Sequence, residues 1–250
     1  MNSKAVNIVW LKRDLRSQDH APLLKAECAG IPYIIIYLFE PSRIEYPDTS
    51  QRHLQFVYHS ICNLDKVLSE FNRRVELFYG EAIEVFNFLI KDFDIISVFS
   101  YQESGTQVSW ERDKIIKQFC KSNSITWAES QRDGILRGIK NRQDWNKKWY
   151  LKMHSSVIQN KYTISKELRL EHPFQMPLIL EAQLKDYPNH YQPPGEKNAW
   201  RYLKSFTSQR GFNYQRHISK PMESRTSCSR LSPYLAWGNM SIKQAFQFIG

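Results

Sequence analysis

Several residue patterns that mark common ligand sites are missing from this 250-residue sequence. Its four cysteines are widely spaced and form no Cys-x-x-Cys pair, so we expect reduced thiols and no metal site. No apolar run approaches the roughly 18 residues of a membrane-spanning helix, and the first residues lack the pattern of a secretory signal. We therefore expect a cytoplasmic protein that does not bind a membrane.

Glycine is scarce as well, with 9 residues in the chain. The first apolar run, residues 6–11, continues directly into Lys12-Arg13-Asp14-Leu15-Arg16. A dinucleotide-binding fold needs G-x-G-x-x-G at this point, because bare backbone must approach the pyrophosphate. The P-loop pattern G-x-x-x-x-G-K-[ST] is absent too. The sequence therefore disfavours nicotinamide dehydrogenases and P-loop ATPases.

Basic residues are present in excess. The chain has 35 lysines and arginines against 25 aspartates and glutamates, which gives a formal net charge of +10. A charge of this size favours a polyanionic partner, either a nucleic acid or an anionic membrane surface. A basic surface that is merely solvated is the alternative.

The first half of the chain alternates short apolar runs with amphipathic helix patterns. Strands are predicted at residues 6–11, 31–39, 74–79, 95–99 and 125–128, and helices at 54–71, 83–93 and 110–119. This order predicts an α/β fold with a doubly wound parallel sheet of the Rossmann type and helices on both faces. We assign it to residues 1–133.

The remainder of the chain has a different pattern. Residues 134–197 are basic and rich in proline, which predicts a long, partly helical connector across the surface between two domains. Helical periodicity returns in residues 198–250, the expected beginning of an all-α domain. About 50 helical residues cannot build a complete second core, and the pattern is still apolar at residues 245–249. We therefore interpret the chain as truncated.

A hydroxyl-rich segment, residues 226–238, is the strongest candidate ligand site. Ser232-Pro233 is a typical helix start, and the free N–H groups of a helix N-terminus attract anions. Further donors precede it, namely Thr226, Ser227, Ser229 and Arg230. A cap between two helices that binds nothing is the alternative interpretation. Gly238 is expected to end this helix, and residues 241–244 have the pattern of a capping box.

Two segments at opposite ends of the chain resemble the photolyase/cryptochrome family. Trp10-Leu11-Lys12-Arg13-Asp14-Leu15-Arg16 resembles the opening signature of that family, W-[FL]-[RK]-[RK]-D-L-R, and residues 226–235 are similar to its loop T-S-x-L-S-P-x-L. Residues 34–41 look like the family's second strand, and Arg112-Asp113 stands where the family often has this pair. The resemblance covers the whole chain. It implies that Asp14, Arg13 and Arg16 have a structural role in the first loop.

The resemblance also implies an FAD site, in which the loop T-S-x-L-S-P-x-L holds the diphosphate. The positions that match flavin-binding residues are Tyr214, Thr226, Ser227, Cys228, Ser229, Arg230, Leu231 and Ser232. Cys228 stands where the family commonly has threonine, and cysteine is a weak donor, so Thr226 or Ser227 would have to supply that contact. The family's other flavin contacts lie beyond this chain. The 250 residues alone are therefore expected to bind flavin weakly or not at all and to be inactive.

An antenna chromophore, a folate or a deazaflavin, is a second implication. Gln102 and Glu103 match the region where a carboxylate contacts a folate in the family. Trp110 and Trp127 are candidates for a stacking wall. The alternative is that Glu103 is a solvated loop acid and that both tryptophans belong to the core.

The function implied for the complete protein is that of a deoxyribodipyrimidine photo-lyase, a carbon–carbon lyase that repairs pyrimidine dimers in DNA with light and FAD. A cryptochrome-type blue-light photoreceptor without repair activity, or a stand-alone α/β domain that binds a nucleotide or folate, are the alternatives. The basic stretch 137–169, with Trp145, Trp149 and Tyr150, is either a track for a DNA backbone or a solvated surface. Lesion type, catalytic residues and oligomeric state remain open.

Overall fold

The computed structural model describes residues 4–166 and 170–250. Its centre is a parallel sheet of five strands in the order β3-β2-β1-β4-β5. The strands are β1 (Lys4–Leu11), β2 (Tyr33–Phe39), β3 (Val75–Tyr79), β4 (Phe93–Tyr101) and β5 (Thr126–Ser130). The doubly wound α/β fold predicted from the sequence is confirmed, and each predicted strand is present within a few residues of its expected bounds.

Helices cover both faces of this sheet, as right-handed crossovers between parallel strands require. They are α1 (Ala21–Cys28), α2 (Pro41–Ile44), α3 (Gln51–Leu68), α4 (Ala82–Asp92) and α5 (Gln107–Ser122). Alternate residues of β1 point to opposite faces, so Ile8 and Trp10 pack with Phe86 of α4. Val9 packs on the other side with Ile61 of α3. All of these side chains are buried.

Helix α1 is not predicted by the sequence pattern, and its cap explains why. The residue before it, His20, accepts a hydrogen bond from the backbone N–H of Leu23 through Nδ1, at 3.2 Å. Histidine is not among the residues that usually cap helices, so no start signal is visible. With only 8 residues, α1 is also too short to show a convincing period.

The described part of the predicted connector includes the helices α6 (Trp145–His154) and α7 (Leu178–Lys185). It is not confined to the surface, because Met153 and Leu184 are buried and Leu184 packs in the α1/α3 side of the core. Glu167 and Arg169 of the basic stretch lie outside the described residues.

The last part of the described chain is helical. It contains α8 (Glu196–Ser208), α9 (Tyr214–His217), α10 (Pro221–Ser227), α11 (Ser232–Ala236) and α12 (Ile242–Ile249), with short 3-10 turns at Ser69–Phe71 and Arg210–Asn213. Ser241 and Gln244 form the predicted capping box of α12. A third core of Ala199, Leu203 and Tyr234 packs against Phe56 of α3, which fixes these helices to the carboxyl edge of the sheet. The bounds proposed for the domains stay a prediction.

Across residues 4–166 and 170–250, no helix has the length and apolar character needed to cross a bilayer. Within the same ranges, no three side chains among His, Cys, Asp and Glu converge as metal ligands.

Candidate functional site

The two segments that carry the sequence signatures meet in space. The backbone N–H of Leu15 donates to the carbonyl of Trp237 at 3.1 Å, and Arg16 Nη1 donates to the carbonyl of Gly238 at 3.2 Å. Asn239 Nδ2 donates in return to the carbonyl of Leu15 at 2.9 Å. The loop after β1 therefore packs directly against the turn after α11 and is hydrogen-bonded to it.

A buried network of polar side chains fixes the conformation of the loop after β1. His20 Nε2 lies 2.8 Å from Asp14 Oδ2, and both side chains are inaccessible to solvent. Burial alone would raise the pKa of Asp14, but the hydrogen bonds from His20 and from the backbone N–H of Lys12, together with the positive charge of Arg16, outweigh it, so the pKa is lowered. Arg16 donates to the carbonyl of Asp19 and to the hydroxyl of Tyr101. Asp14 and Arg16 thus have the structural role expected of them.

Three of the four hydroxyls of the hydroxyl-rich loop, residues 226–232, are hydrogen-bonded within the protein. Thr226 Oγ1 donates to the carbonyl of Glu223 at 2.8 Å. The buried Ser227 hydroxyl lies 3.2 Å from the same carbonyl and 2.7 Å from Nδ1 of His217. Ser229 Oγ accepts from the backbone N–H of Leu231 at 3.4 Å, a short turn closed by a side chain.

Ser232 differs from its expected role as the cap of α11. The helix begins at Ser232 itself, its cap position is Leu231, and no side chain caps it. Pro233, which follows, has the φ that a first turn requires. The Ser232 side chain is exposed and has no hydrogen-bond partner in the described part of the chain, so it is free to bind a ligand.

Arg210, which the sequence motifs do not single out, is hydrogen-bonded to the backbone of the loop. Its guanidinium donates to the hydroxyl of Ser205 and to the carbonyls of Tyr202, Thr226, Cys228 and Ser229, at distances of 2.6 to 3.2 Å. The five N–H donors of one planar, rigid guanidinium can serve all five acceptors at once, whereas a lysine has only three donors.

Because Arg210 binds carbonyl groups of the loop, backbone N–H groups of the loop point away from it. In a planar trans peptide the carbonyl and the following N–H point in opposite directions, so the N–H groups of Ser229 and Arg230 face away from Arg210. Neither of these amides has a partner among the residues that the structure describes. Arg230 has φ +62°, the left-handed region that side chains rarely adopt and that often marks ligand loops. Successive free amides of this kind form anion-binding concavities.

Tyr214 belongs to a helix that packs against α10, the helix that leads into this loop. It begins α9, and His217 at the end of α9 contacts Ser227 in α10. The Tyr214 ring stands edge-on to Phe206 of α8, with centroids 5.9 Å apart. The structure therefore brings the end of α9 to the loop, while the Tyr214 ring packs on α8.

A cavity of about 550 Å³ opens beside α11. The carboxyl end of β2, the start of α3 and the face of α11 bound it. Its charged lining residues are Arg13, Arg43, Arg52, Glu40 and Asp48, its aromatic ones include Tyr37, Tyr46, Tyr187 and Trp237, and Ser232 also lines it. Arg13 stacks over the Trp237 ring at 4.7 Å, so the two halves of the structure contribute jointly to this wall.

Glu103 is not the solvated acid that the alternative interpretation expects. Its side chain is 1% exposed and forms ion pairs with Arg13 at 3.3 Å, Arg43 at 3.0 Å and Arg112 at 2.7 Å. Burial would raise the pKa of Glu103, but Arg43, Arg112 and Lys12 dominate and hold it well below its usual range. Glu103 therefore positions two arginines that line the cavity, while the backbone N–H of Gln102 donates to the carbonyl of Ser130.

The two tryptophans proposed for a stacking wall have different surroundings. Trp110 is 51% exposed, with Lys114 Nζ 3.5 Å from its ring centre, so it does not belong to the core. Trp127 packs 5.9 Å from Trp10 and donates through Nε1 to Ser100 Oγ at 2.9 Å. The core assignment holds for Trp127 and is wrong for Trp110.

The sequence profile of DNA photolyases matches residues 7–144, more than half of the chain. The chain belongs to the DNA photolyase family.

Individual relatives of this family align over nearly the whole chain. It is 24% identical over 262 residues to the deoxyribodipyrimidine photo-lyase of Buchnera aphidicola subsp. Acyrthosiphon pisum, covering 97% of this chain and 53% of that one. The crystal structure of the Sulfolobus tokodaii photolyase superposes with a TM-score of 0.71 at 20% identity, covering 97% and 54%. The Synechocystis cryptochrome structure superposes with a TM-score of 0.74 at 18% identity, covering 99% and 56%. The chain spans about half the length of these relatives.

Proposed function

We propose that residues 226–232 hold the diphosphate of FAD, and that the complete protein is a light-driven photolyase that repairs pyrimidine dimers in DNA. The proposal rests on one observation: Arg210 donates to the carbonyls of Cys228 and Ser229. The N–H groups of Ser229 and Arg230 therefore point away from Arg210 and are available to a ligand. Relatives named deoxyribodipyrimidine photo-lyase support the reaction, and a Sulfolobus tokodaii relative crystallised with two FAD molecules supports the cofactor.

The donor set suits a diphosphate. Ser229 and Arg230 offer amides, Ser232 offers a free hydroxyl, and the Arg230 guanidinium adds a positive charge, so neutral and charged donors can share the phosphate oxygens. Cys228 offers only a weak donor. Thr226 and Ser227 are already bonded to Glu223 and His217, so they support the loop's shape in preference to contacting the ligand. The bound flavin would supply the chemistry, donation of an electron to the dimer after light absorption.

The 550 Å³ cavity is the proposed place for an antenna chromophore, a folate or a deazaflavin. Its volume lies within the range of small-molecule pockets, and its lining offers aromatic rings for a flat pigment and three arginines, against the two acids Glu40 and Asp48, for its anionic groups. In this proposal Glu103 acts through Arg13 and Arg43 and does not touch the pigment. Gln102 stays a candidate contact without further support.

A cryptochrome-type photoreceptor is the second candidate, because the Synechocystis cryptochrome superposes on the chain as well as photolyases do. The two candidates share the flavin and differ in repair.

The test is the absorption and fluorescence spectrum of the full-length gene product, before and after heat release of its chromophores, followed by a repair assay on ultraviolet-irradiated DNA. We expect released FAD and light-dependent loss of dimers. FAD without repair would favour the cryptochrome, and a full-length protein without FAD would refute both candidates.

A further inference from the structure

A second cavity, of about 360 Å³, lies at the amino ends of β2 and β3, and we call it the amino-edge cavity. Its described lining includes three cations, Arg73, Arg74 and Lys166, and two acids, Asp65 and Glu76. Cofactors of open α/β sheets bind beyond the carboxyl ends of the strands, where the 550 Å³ cavity lies. The two cavities have no described lining residue in common, so the amino-edge cavity is a separate site.

Arg73 is fixed in the wall of the amino-edge cavity by its neighbours. Its guanidinium lies over the Tyr33 ring, 4.1 Å from the ring centre, and Nη2 is 2.7 Å from Glu27 Oε1. The Glu27 carboxylate also accepts from the hydroxyls of Tyr33, at 2.7 Å, and Thr163, at 3.0 Å. The Arg73 side chain is 8% exposed, so its position is set before any ligand binds.

One donor of this fixed guanidinium is unused. Arg73 Nε is buried and has no hydrogen-bond partner among the residues that the structure describes. Buried polar groups in folded proteins are almost always hydrogen-bonded, and leaving a donor of a charged group without an acceptor is costly. Because Arg73 lines the cavity, an anionic oxygen bound there can accept from Nε.

Two further cations of the lining have donors available. Lys166 is exposed and forms no ion pair within residues 4–166 and 170–250. Arg74 pairs through Nε with Glu76 Oε1 at 2.5 Å, which neutralises that acid and leaves the terminal nitrogens of the guanidinium for a ligand. Guanidinium and ammonium donors are the usual partners of phosphate oxygens in proteins.

Asp65, near the end of α3, restricts which anion fits. Its Oδ1 accepts from the backbone N–H of Val75 at 2.7 Å, and its Oδ2 has no hydrogen-bond partner in the described part of the chain. The helix ends at Leu68, and the carbonyl groups of a helix C-terminus carry partial negative charge. These oxygens repel an anion without protons, such as sulfate. They accept a hydrogen bond from hydrogen phosphate or from the hydroxyl of a phosphate monoester.

We propose that the amino-edge cavity binds a small phosphate compound, either hydrogen phosphate or a hydroxyl-bearing phosphate monoester. The phosphate accepts from Arg73, Arg74 and Lys166, and the O–H group of the ligand donates to Asp65. The volume of about 360 Å³ is near the lower end of the range for small-molecule pockets. Because Lys166 belongs to the connector and the two arginines directly precede β3, the ligand joins the connector to the sheet.

The test is isothermal titration calorimetry of the full-length gene product at pH 7 and constant ionic strength. The titrants are sodium phosphate, glycerol 3-phosphate and sodium sulfate. We expect both phosphate compounds to bind saturably and sulfate to bind at least about tenfold more weakly, because sulfate cannot donate to Asp65. The compound that binds more tightly shows whether the natural ligand is inorganic phosphate or a monoester.

Two variants test the cations of the site. Lys166→Ala removes one charge-assisted hydrogen bond and should weaken phosphate binding about fivefold. Arg73→Lys keeps a cation beside Glu27 but removes Nε, and should weaken binding about tenfold. Lys161→Ala, at an exposed position of the same connector that does not line the cavity, is the matched control and should leave the affinity unchanged.

Asp65→Asn tests the selectivity. Its side-chain oxygen can still accept from Val75, while its amide N–H can donate to the anion. The affinity for sulfate should therefore rise to within about twofold of the affinity for phosphate, a change that a purely structural role of Asp65 would not produce.

The proposal is wrong if neither phosphate compound binds, or if sulfate binds the unaltered protein as tightly as phosphate does. It is also wrong if Lys166→Ala and Lys161→Ala have the same affinity for phosphate. Both lysines are exposed, so that comparison does not depend on a variant of the buried network. None of these comparisons involves residues 226–232, so failure of the FAD assignment would leave their result valid, and failure here would leave the FAD assignment valid.

Discussion

Replacing Gly238 with alanine is expected to lower the free energy of unfolding by about 3 kcal/mol. The residue has φ +72°, and a Cβ there would overlap the carbonyl oxygen of Arg13 and lie 2.6 Å from Cα of Asp14. Backbone atoms cannot move aside as a flexible side chain can. The turn after α11 would therefore have to move away from the loop after β1. Urea unfolding followed by tryptophan fluorescence measures the change.

Gly30→Ala is the matched control. Gly30 has a similar φ of +66°, but a Cβ added there would meet no atom within 4 Å, so only the conformational cost of about 1–2 kcal/mol applies. The difference between the two variants isolates the close approach of the two signature segments. Equal losses would show that the segments do not pack as described.

Glu103→Gln is expected to destabilise the protein by about 3–5 kcal/mol, the usual cost of removing one partner from a buried ion pair. The side chain is almost fully buried between Arg13, Arg43 and Arg112, and a neutral amide would leave these arginines without a central anion. Because Arg13 and Arg43 line the cavity, the variant should also reduce retention of any pigment there. Urea unfolding at pH 7 measures the first effect.

The same substitution should change how stability depends on pH. The pKa of Glu103 in the folded protein lies below its ordinary value of 4.5, so the unfolded chain binds its proton more readily. The stabilisation from this carboxylate is therefore complete above about pH 4.5 and is lost as the pH falls through the folded pKa. In Glu103→Gln this part of the acid-induced loss should be absent.

Glu111→Gln on the exposed side of α5 is the control for both effects. Among the described residues its carboxylate accepts only from Gln107, at 2.7 Å, and its removal should change stability by less than about 0.5 kcal/mol. Comparable losses in the two variants, or an unaltered acid profile for Glu103→Gln, would show that the arginine cluster does not depend on its central carboxylate.

The central strands β1 and β2 were predictable because they are buried on both faces over most of their length and so appear as continuous apolar runs. Ile34, Ile35 and Ile36 in β2 are all nearly inaccessible, and no helix pattern of that length imitates them. Helix α1 was not predictable, since its cap is a histidine ring. The helix after Leu231 was located, but Ser232 belongs to its first turn because Leu231 occupies the cap position.

The candidate site was only partly predictable, for a related reason. Motifs identify residues that are near each other in the chain, so the hydroxyl loop and the first signature were visible. Arg210 donates hydrogen bonds to carbonyl groups up to 19 residues away in the sequence. Any long side chain with a donor group could do the same, so no local motif marks this arginine. Glu103 pairs with Arg13 and Arg43, 90 and 60 residues away, and its burial could not be seen before the strands were placed in the sheet.

The affinity of the full-length gene product for FAD, compared with that of its Ser229→Ala/Ser232→Ala variant, tests the diphosphate assignment most directly. Quenching of flavin fluorescence measures it, and Ser219→Ala, at an exposed position outside the loop, is the control. We predict at least a tenfold loss in the double variant, about 1.4 kcal/mol, and none in the control. Unchanged affinity in the double variant would contradict the assignment of residues 226–232 to the diphosphate.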